Sequence, residues 1–217
     1  MMRNLLSALA FLVCWAAVGP ALGEIPEPSV APASSELTFR YRDPERVSVL
    51  LPGETTPTLY WYMLYTVENA TGSEVDFLPQ FTLVTDTLQV VPAEVQVSPE
   101  AFKTIQRRTG DALLVPPEKA VGRLLCGKDQ AKRSVAIWRD FDPRAKSFKV
   151  FVAGLSSEMT RLRNPTFDPA EPESDENPRH YVLRRTLEIP YRLPVGESMR
   201  HQAVPERRPE QQKWIMR

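Results

Sequence analysis

The segment from Thr58 to Asn69 constrains the fold of this chain more than any other, because it predicts a strand that is apolar on both faces. Successive side chains of a β-strand point to opposite sides. One side carries Leu59, Trp61, Met63, Tyr65 and Val67, and the other carries Tyr60, Tyr62, Leu64 and Thr66. Aromatic and β-branched residues favour a pleated, buried surface. The pattern therefore predicts that this strand lies centrally in its sheet.

Further strands are indicated before and after this segment. Residues 37–41 and 47–51 alternate apolar and polar side chains, and a turn is expected between them at Asp43-Pro44. The Asn, Thr and Gly of residues 69–72 supply turn chemistry. We therefore expect the chain to reverse there and to return as a strand over residues 75–83.

The later strands carry features of their own. Pro79 lacks an amide donor, so the returning strand is expected at a sheet edge or is broken at that point. Residues 135–141 and 148–155 are rich in β-branched and aromatic residues and predict a hairpin. Residues 181–193 predict a long final strand with one apolar face, broken only by Arg185, and one wet face.

One short helix is predicted in this strand-rich chain, over residues 99–109. Ser98 is suited to cap the exposed amides, and Pro99 suits the first helical position. Gly110 follows the last turn, where the chain must leave the helix. The predicted fold class is mainly β, an antiparallel sandwich with this helix packed across one end of its core.

The N-terminus indicates export. Arg3 precedes an apolar run of 14 residues, Leu5–Val18, and small residues close the segment at Gly23. This is the pattern of a signal peptide, and cleavage is expected between Gly23 and Glu24. A membrane anchor is the alternative, but a spanning helix needs about 20 residues. The expected protein is periplasmic or extracellular, with no stable membrane span after cleavage.

The mature chain divides into three parts by composition. Residues 24–36 predict a proline-rich leader, residues 37–195 a single β-sandwich domain, and residues 196–217 a polar C-terminal tail. Whether Trp214 docks on the domain is left open. The segment Arg163–Pro178 is acidic and rich in proline, and it predicts a mobile loop within the domain.

Composition and motifs argue against several kinds of chemistry. The 27 Lys and Arg balance the 27 Asp and Glu, so no general attraction to nucleic acid is expected. Cys126, His180 and His201 are isolated, no phosphate-binding glycine motif occurs, and we expect no metal, cofactor or catalytic residue. The triplet Asn69-Ala70-Thr71 fits a glycosylation acceptor, but a turn explains it equally.

Two groups of residues are candidate sites, each with a structural alternative. Asp140 and Asp142, beside Trp138, suit a sugar or metal site, although aspartates also stabilise turns through their own backbone bonds. Tyr60, Tyr62 and Trp138 are suited to stack on a carbohydrate or anchor a partner protein. The alternative is that these rings belong to the core.

The succession of residues 59–67, the turn at 69–72 and the return over 75–83 resembles the strand-turn-strand unit of immunoglobulin-like β-sandwich domains attached to exported bacterial proteins. The resemblance is one of pattern and extends over residues 37–195. It implies an immunoglobulin-like antiparallel fold. It implies no catalytic residue, because such sandwiches host many unrelated functions.

These observations lead to two expectations for function. The first is an exported, non-enzymatic binding or structural module of the cell envelope or periplasm, with an envelope protein or a glycan as partner. The second is an envelope hydrolase or carbohydrate-active protein that uses Asp140 and Asp142 near Trp138. The sequence leaves the oligomeric state open.

Overall fold

A computed structural model describes residues 25–30, 35–94, 97–194 and 202–217 of the chain. The described part is mainly β, and its strands pair antiparallel. The strands are β1 (Thr38–Tyr41), β2 (Glu45–Val49), β3 (Thr58–Glu68), β4 (Val75–Phe77), β5 (Gln80–Thr85), β6 (Val90–Pro92), β7 (Gly122–Leu124), β8 (Lys132–Arg139), β9 (Ser147–Ala153), β10 (Met159–Arg163), β11 (His180–Arg192), β12 (Glu206–Arg207) and β13 (Lys213–Met216). The helices are α1 (Pro99–Thr109) and α2 (Pro117–Ala120).

Helix α1 confirms the predicted helix. The Ser98 side chain accepts a hydrogen bond from the Glu100 amide at 3.3 Å, and Pro99 is the first helical residue. Gly110 ends the helix with a φ of 65°, in the left-handed region that glycine enters without strain. The buried residues of the helix are Ala101 and Ile105, which face the first sheet.

In the first sheet, β3 is central, as predicted. Strand β8 pairs along one edge of β3, and β1 and β2 pair with its two halves along the other edge. Tyr41 pairs with Tyr65, and Glu45 pairs with Tyr62. The three residues 42–44 of the edge therefore lie opposite only two residues of β3, 63 and 64. The expected turn at Asp43-Pro44 is therefore a bulge, and β1 and β2 form one interrupted edge strand.

The second sheet has the order β6, β5, β9 and β11, with β12 and β13 on the far edge of β11. The predicted hairpin of residues 135–141 and 148–155 is wrong, because β8 pairs with β3 and β9 pairs with β5 and β11. The connection between β8 and β9 crosses from one sheet to the other. It does so because Phe141 and Ala145 are both buried in the core between the sheets.

The break expected at Pro79 is confirmed. Strand β4 pairs with β7 in a separate two-stranded sheet, whereas β5 enters the second sheet between β6 and β9. Near this break Gly154 has a φ of 86°, and a Cβ atom there would overlap the carbonyl oxygen of Leu78. The approach of these two backbones therefore requires glycine.

The two faces of β3 pack against different layers. On the inner face, Trp61 and Met63 lie in the core shared with the second sheet, where Phe148 and Ile189 belong to the same cluster. On the outer face, Tyr60, Tyr62 and Leu64 lie in a separate cluster with the buried residues of α1. Two sheets around one core are consistent with a β-sandwich, and the helix adds a third layer. No helix among the described residues is long and apolar enough to cross a membrane.

Strand β11 differs from its prediction in how it is buried. Residues 185–191 are buried on both faces, including Thr186 and Glu188 on the side that was expected to be wet. Residues 180–184 are mostly exposed and pair with β10. We call this exposed pair of strands, residues 159–163 and 180–184, the ribbon.

Arg185, which interrupts the apolar stripe of β11, is a buried centre of contacts. Its guanidinium donates to a Glu158 carboxylate oxygen at 2.8 Å and to the carbonyl of Ser29 at 3.0 Å. It also lies 3.4 Å from a Glu36 oxygen and 4.7 Å from the centre of the Trp214 ring. Arg185 thus joins residues 25–30 and β13 to the domain.

The loop that joins the two strands of the ribbon has internal order. Asn164 and Asn177 are buried. The Asn164 amide donates to the Pro178 carbonyl at 2.7 Å, and Asn177 exchanges hydrogen bonds with the backbone of Asp168 at 2.9 and 3.0 Å. The composition predicts a mobile loop. These hydrogen bonds join the start of the loop to its end and so order its backbone.

Candidate functional site

Asp140, one of the two candidate carboxylates, is held by groups of the domain itself. It accepts hydrogen bonds from the Trp61 indole at 2.7 Å and from the Arg46 guanidinium at 3.0 Å. The Arg46 guanidinium also lies over the Trp61 ring, 5.4 Å from its centre. The carboxylate satisfies the buried indole N–H and balances a half-buried cation, which is a structural role.

Asp142 is engaged in its own turn. It accepts from the backbone amide of Arg144 at 3.0 Å and from the Arg144 guanidinium at 2.9 and 3.0 Å. The Arg144 side chain, helped by the Arg144 amide, holds the pKa of this carboxyl well below its usual range. This is the turn role that the sequence analysis gave as the alternative to a sugar or metal site. A carboxyl held as its anion in this way is poorly suited to donate a proton near neutral pH.

The candidate aromatic residues are buried. Trp138 is fully buried in the inner core, and Tyr60 and Tyr62 are 1% exposed beneath α1. The Tyr62 hydroxyl donates to Glu45 at 2.7 Å, and burial, together with this carboxylate, raises the pKa of the hydroxyl. None of the three rings presents a face to solvent, so the burial supports the alternative that they are core.

Two further candidates from the sequence are the Asn69 triplet and the expected cleavage point. The Asn69 side chain is buried, and its amide donates to the carbonyls of Ser73 and Leu124 at 2.8 and 2.9 Å. This geometry supports a turn at the Asn69 triplet. Gly23 and Glu24, at the expected cleavage point, lie outside the described residues. Among the residues described, no group of three or more His, Cys, Asp or Glu could hold a metal ion.

A surface that the sequence did not single out lies on the outer face of the first sheet, where α1 ends. It is a cavity of about 420 Å³ lined by Arg40, Arg42 and Arg133, together with Thr66 and Asp111. We call it the arginine cavity. Its volume is within the range of about 300 to 1,000 Å³ that is typical of small-ligand sites.

The register of the strands builds the arginine cavity. Thr66 on β3 pairs with Arg40 on β1 and with Arg133 on β8, so all three side chains lie on the same face of the sheet. The Arg42 amide donates to the Leu64 carbonyl at 2.9 Å, beside the bulge in the edge strand. Because α1 ends at Thr109, this part of the outer face is left uncovered.

The cavity contains more positive than negative charge. Arg133 pairs with Asp111 at 2.8 Å, and Arg40 lies 3.6 Å from Glu68. Within the described ranges, the exposed Arg42 side chain has no hydrogen bond or ion pair. Only Asp111 among the lining residues is acidic. An anionic group entering the cavity would meet a guanidinium whose hydrogen-bond donors are free.

The sequence held part of the signal for this cavity. The alternation of residues 37–41 places Arg40 and Arg42 on one face, away from Phe39. It gives no indication that Arg133, which lies 93 positions after Arg40, shares that face. That information belongs to the pairing of β8 with β3.

Comparison of the chain with protein-family models, with curated protein sequences and with solved structures finds no match.

Proposed function

We propose that this chain is an exported, non-enzymatic binding module of the cell envelope or periplasm, and that it binds an anionic group in the arginine cavity. The observation that carries the proposal is the arginine cavity itself, in which three guanidinium groups line a concavity with a single carboxylate. Arginine binds carboxylates and phosphates through paired N–H donors. A carboxylate or phosphate of an envelope glycan or protein is the ligand chemistry that fits.

Export is the second part of the proposal. It is supported by the charged start, the apolar run and the small-residue end of residues 1–23. Mass spectrometry of the exported protein should give a chain that begins at or within a few residues of Glu24. A secreted chain that retains Met1 would contradict signal cleavage.

We further infer that the sandwich is of the immunoglobulin-like type. The chain crosses between the two sheets after β3, again between β6 and β8, and once more between β8 and β9, which is the kind of connection found in Greek-key sandwiches. A crystal structure should reproduce these crossings. One in which β8 and β9 pair as a hairpin would overturn the assignment.

The hydrolase alternative has less support. It needs two carboxylates free to exchange protons or to attack a substrate. Asp140 is bound by Arg46 and Trp61, and Asp142 is bound by Arg144. The binding proposal uses charged groups that retain free hydrogen-bond donors.

The binding proposal is tested by titrating the purified protein with acidic oligosaccharides that carry carboxylate or phosphate groups, beside neutral ones of equal length. We expect binding of the acidic set only. Arg42→Ala should weaken it about tenfold, since losing one charged hydrogen bond removes roughly 1.5 kcal/mol. Separate carboxylate and phosphate arms distinguish the two ligand sources.

A matched control is available in Arg192→Ala, which removes an exposed arginine outside the cavity that has no side-chain partner among the residues described. It should leave binding unchanged. Equal binding of neutral and acidic ligands, or an equal loss in both variants, would overturn the assignment of the cavity. Because the exposed Arg42 side chain has no hydrogen bond or ion pair among the described residues, its replacement should also leave the melting temperature nearly unchanged.

A further inference from the structure

We propose that the ribbon of one chain packs antiparallel against the ribbon of a second copy, so that the acidic loop of each lies on the basic face of the other. This inference concerns a different surface from the arginine cavity and does not depend on it. It is carried by the charge distribution along the ribbon.

One face of the ribbon is basic. The register pairs Met159 with Arg184, Arg161 with Val182, and Arg163 with His180, so these six side chains share a face. All six residues are exposed. We call this the basic face. In the described part of the chain, none of its three guanidinium groups has a hydrogen bond or an ion pair.

The loop at the end of the ribbon carries the opposite charge. Residues 164–178 contain five acidic side chains and no Lys or Arg. These acids, all exposed, are Asp168, Glu171, Glu173, Asp175 and Glu176. Glu173 lies 3.7 Å from Arg179, and no described ion pair joins the loop to the basic face. We call these residues the acidic loop.

The acidic loop is held in shape before any partner arrives. Asn177 donates to the Asp168 carbonyl at 3.0 Å and accepts from the Asp168 amide at 2.9 Å, so the backbone that carries the acids is closed on itself. A preformed loop loses less conformational entropy on binding than a disordered one. The backbone that carries the acidic side chains is therefore ordered before binding.

A second copy satisfies both charged regions at once. In a two-fold arrangement, each contact between an acidic loop and a basic face is made twice, because the same patch is used on both chains. The formal net charge of the chain is zero, so the copies do not repel each other as a whole. Met159 and Val182, which are 55% and 54% exposed, would be covered in the same contact.

The size of the ribbon sets the strength that we expect. Five residues of strand span about 17 Å. An interface of this size falls at the small end of specific contacts, below about 1,200 Å². Exposed charge pairs are screened by salt. The expected dimer is therefore weak, exchanges rapidly and dissociates at high ionic strength.

The test is sedimentation equilibrium of the whole protein and two charge-reversed variants. One variant carries Arg161→Glu, Arg163→Glu and Arg184→Glu, and the other carries Glu171→Lys, Glu173→Lys and Glu176→Lys. Wild type should dimerise at low salt and weaken at least about tenfold when the salt is raised about tenfold. Each variant alone should be monomeric, because its loop and its face then carry the same sign.

An equimolar mixture of the two variants should dimerise again, since each loop then meets a face of opposite charge. Recovery in the mixture also shows that both variants are folded. A control with Lys103→Glu, Lys119→Glu and Arg192→Glu reverses three charges outside the ribbon and should dimerise as wild type does.

Three results would overturn the inference. The first is a wild type that stays monomeric at low salt up to about 1 mM, where even weak association is populated. The second is a dimer that neither reversal affects. The third is a monomer whose basic face binds a soluble polyglutamate probe, with binding lost in the arginine variant, because the face would then serve a different acidic partner.

Discussion

The two halves of β11 have similar alternation but very different surroundings. In the half within the sandwich, Leu187 and Ile189 are buried against the first sheet. In the half within the ribbon, Tyr181 and Val182 are 43% and 54% exposed. The sandwich half, residues 185–192, has a strand along each edge. The ribbon half, residues 180–184, pairs with β10. Alternation decides which side chains share a face, and the neighbouring strands and layers decide whether that face is buried.

The largest difference between the two regions should appear at Trp61. Its side chain is fully buried, lies 5.4 Å from the Phe141 ring centre and donates to Asp140. Trp61→Ala should destabilise the domain by about 3 to 5 kcal/mol, measured by denaturant unfolding. Tyr181→Ala on the ribbon is the comparison and should change stability by less than about 0.5 kcal/mol. An equal loss of unfolding free energy in both variants would contradict the difference in burial between the sandwich and the ribbon.

A pair of variants within β11 makes the comparison on one strand. Ile189 is fully buried, so Ile189→Ala should cost about 2 to 4 kcal/mol of unfolding free energy. Val182→Ala removes a side chain that is already in water and should have an effect of only about 0.5 kcal/mol or less. If both variants shift the denaturation midpoint alike, the ribbon is packed against something that this structure does not describe.

Two adjacent arginines lie where the ribbon half of β11 meets the sandwich half. Arg185 has its buried contacts with Glu158, Ser29 and Trp214, whereas the exposed Arg184 side chain has no partner among the described residues. Arg185→Ala should destabilise the domain by on the order of 2 kcal/mol, and Arg184→Ala should leave it unchanged. The measurement is thermal unfolding of both variants at one ionic strength. The reverse order would mean that the half-strands are assigned to the wrong environments.

A smaller effect should depend on pH. The Ser29 amide, followed by the Arg185 guanidinium, lowers the pKa of Glu158 from its ordinary value of about 4.5. A carboxyl whose pKa is lower in the folded protein stabilises the fold at any pH above its ordinary pKa. This stabilisation is lost as the pH falls through the pKa of the folded state. The advantage of wild type over Glu158→Gln should be constant above about pH 5 and should shrink in acid.

The control for this pH dependence is Glu171→Gln in the acidic loop. The Glu171 carboxylate is exposed and has no partner among the residues described. Its replacement should give a stability difference that does not vary with pH. A similar pH dependence in both variants would show that overall charge, and not the Arg185 contacts, causes the effect.

The smallest effect is expected from cutting the chain at the end of the ribbon. Limited proteolysis should cleave first within residues 164–178, which are mostly exposed. The fragments should elute together, because β11 after the cut pairs with β9 before it over residues 186–192. Free separation of the second fragment, with full stability kept by the first, would show that the chain is not a single domain.

What the sequence predicted well is encoded over a few neighbouring residues. The helix came from Ser98, Pro99 and Gly110, and the turn role of Asp142 depends on the amide of Arg144, two residues away. Local hydrogen bonds and φ preferences decide such features. The break at Pro79 follows from a missing amide donor in the same way.

What the sequence missed depends on residues far apart in the chain. The false hairpin arose because two strand patterns lie on either side of a turn, and a turn signal does not tell whether the chain stays in one sheet. The arginine cavity needed the pairing of Arg40 and Arg133 with Thr66, which no local pattern contains. Arg185 was visible as a break in an apolar stripe, but its partners Ser29 and Glu158 were not.

The contacts of Arg185 also determine how the domain responds to a stretching force. Residues 25–30 are attached through the Ser29 carbonyl on Arg185 and through the Ser29 amide on Glu158 at 2.7 Å. The strands behind them are held by ladders of backbone hydrogen bonds. A force applied at Ile25 would therefore break the contacts of Ser29 with Arg185 and Glu158 before it acted on the backbone hydrogen bonds of either sheet.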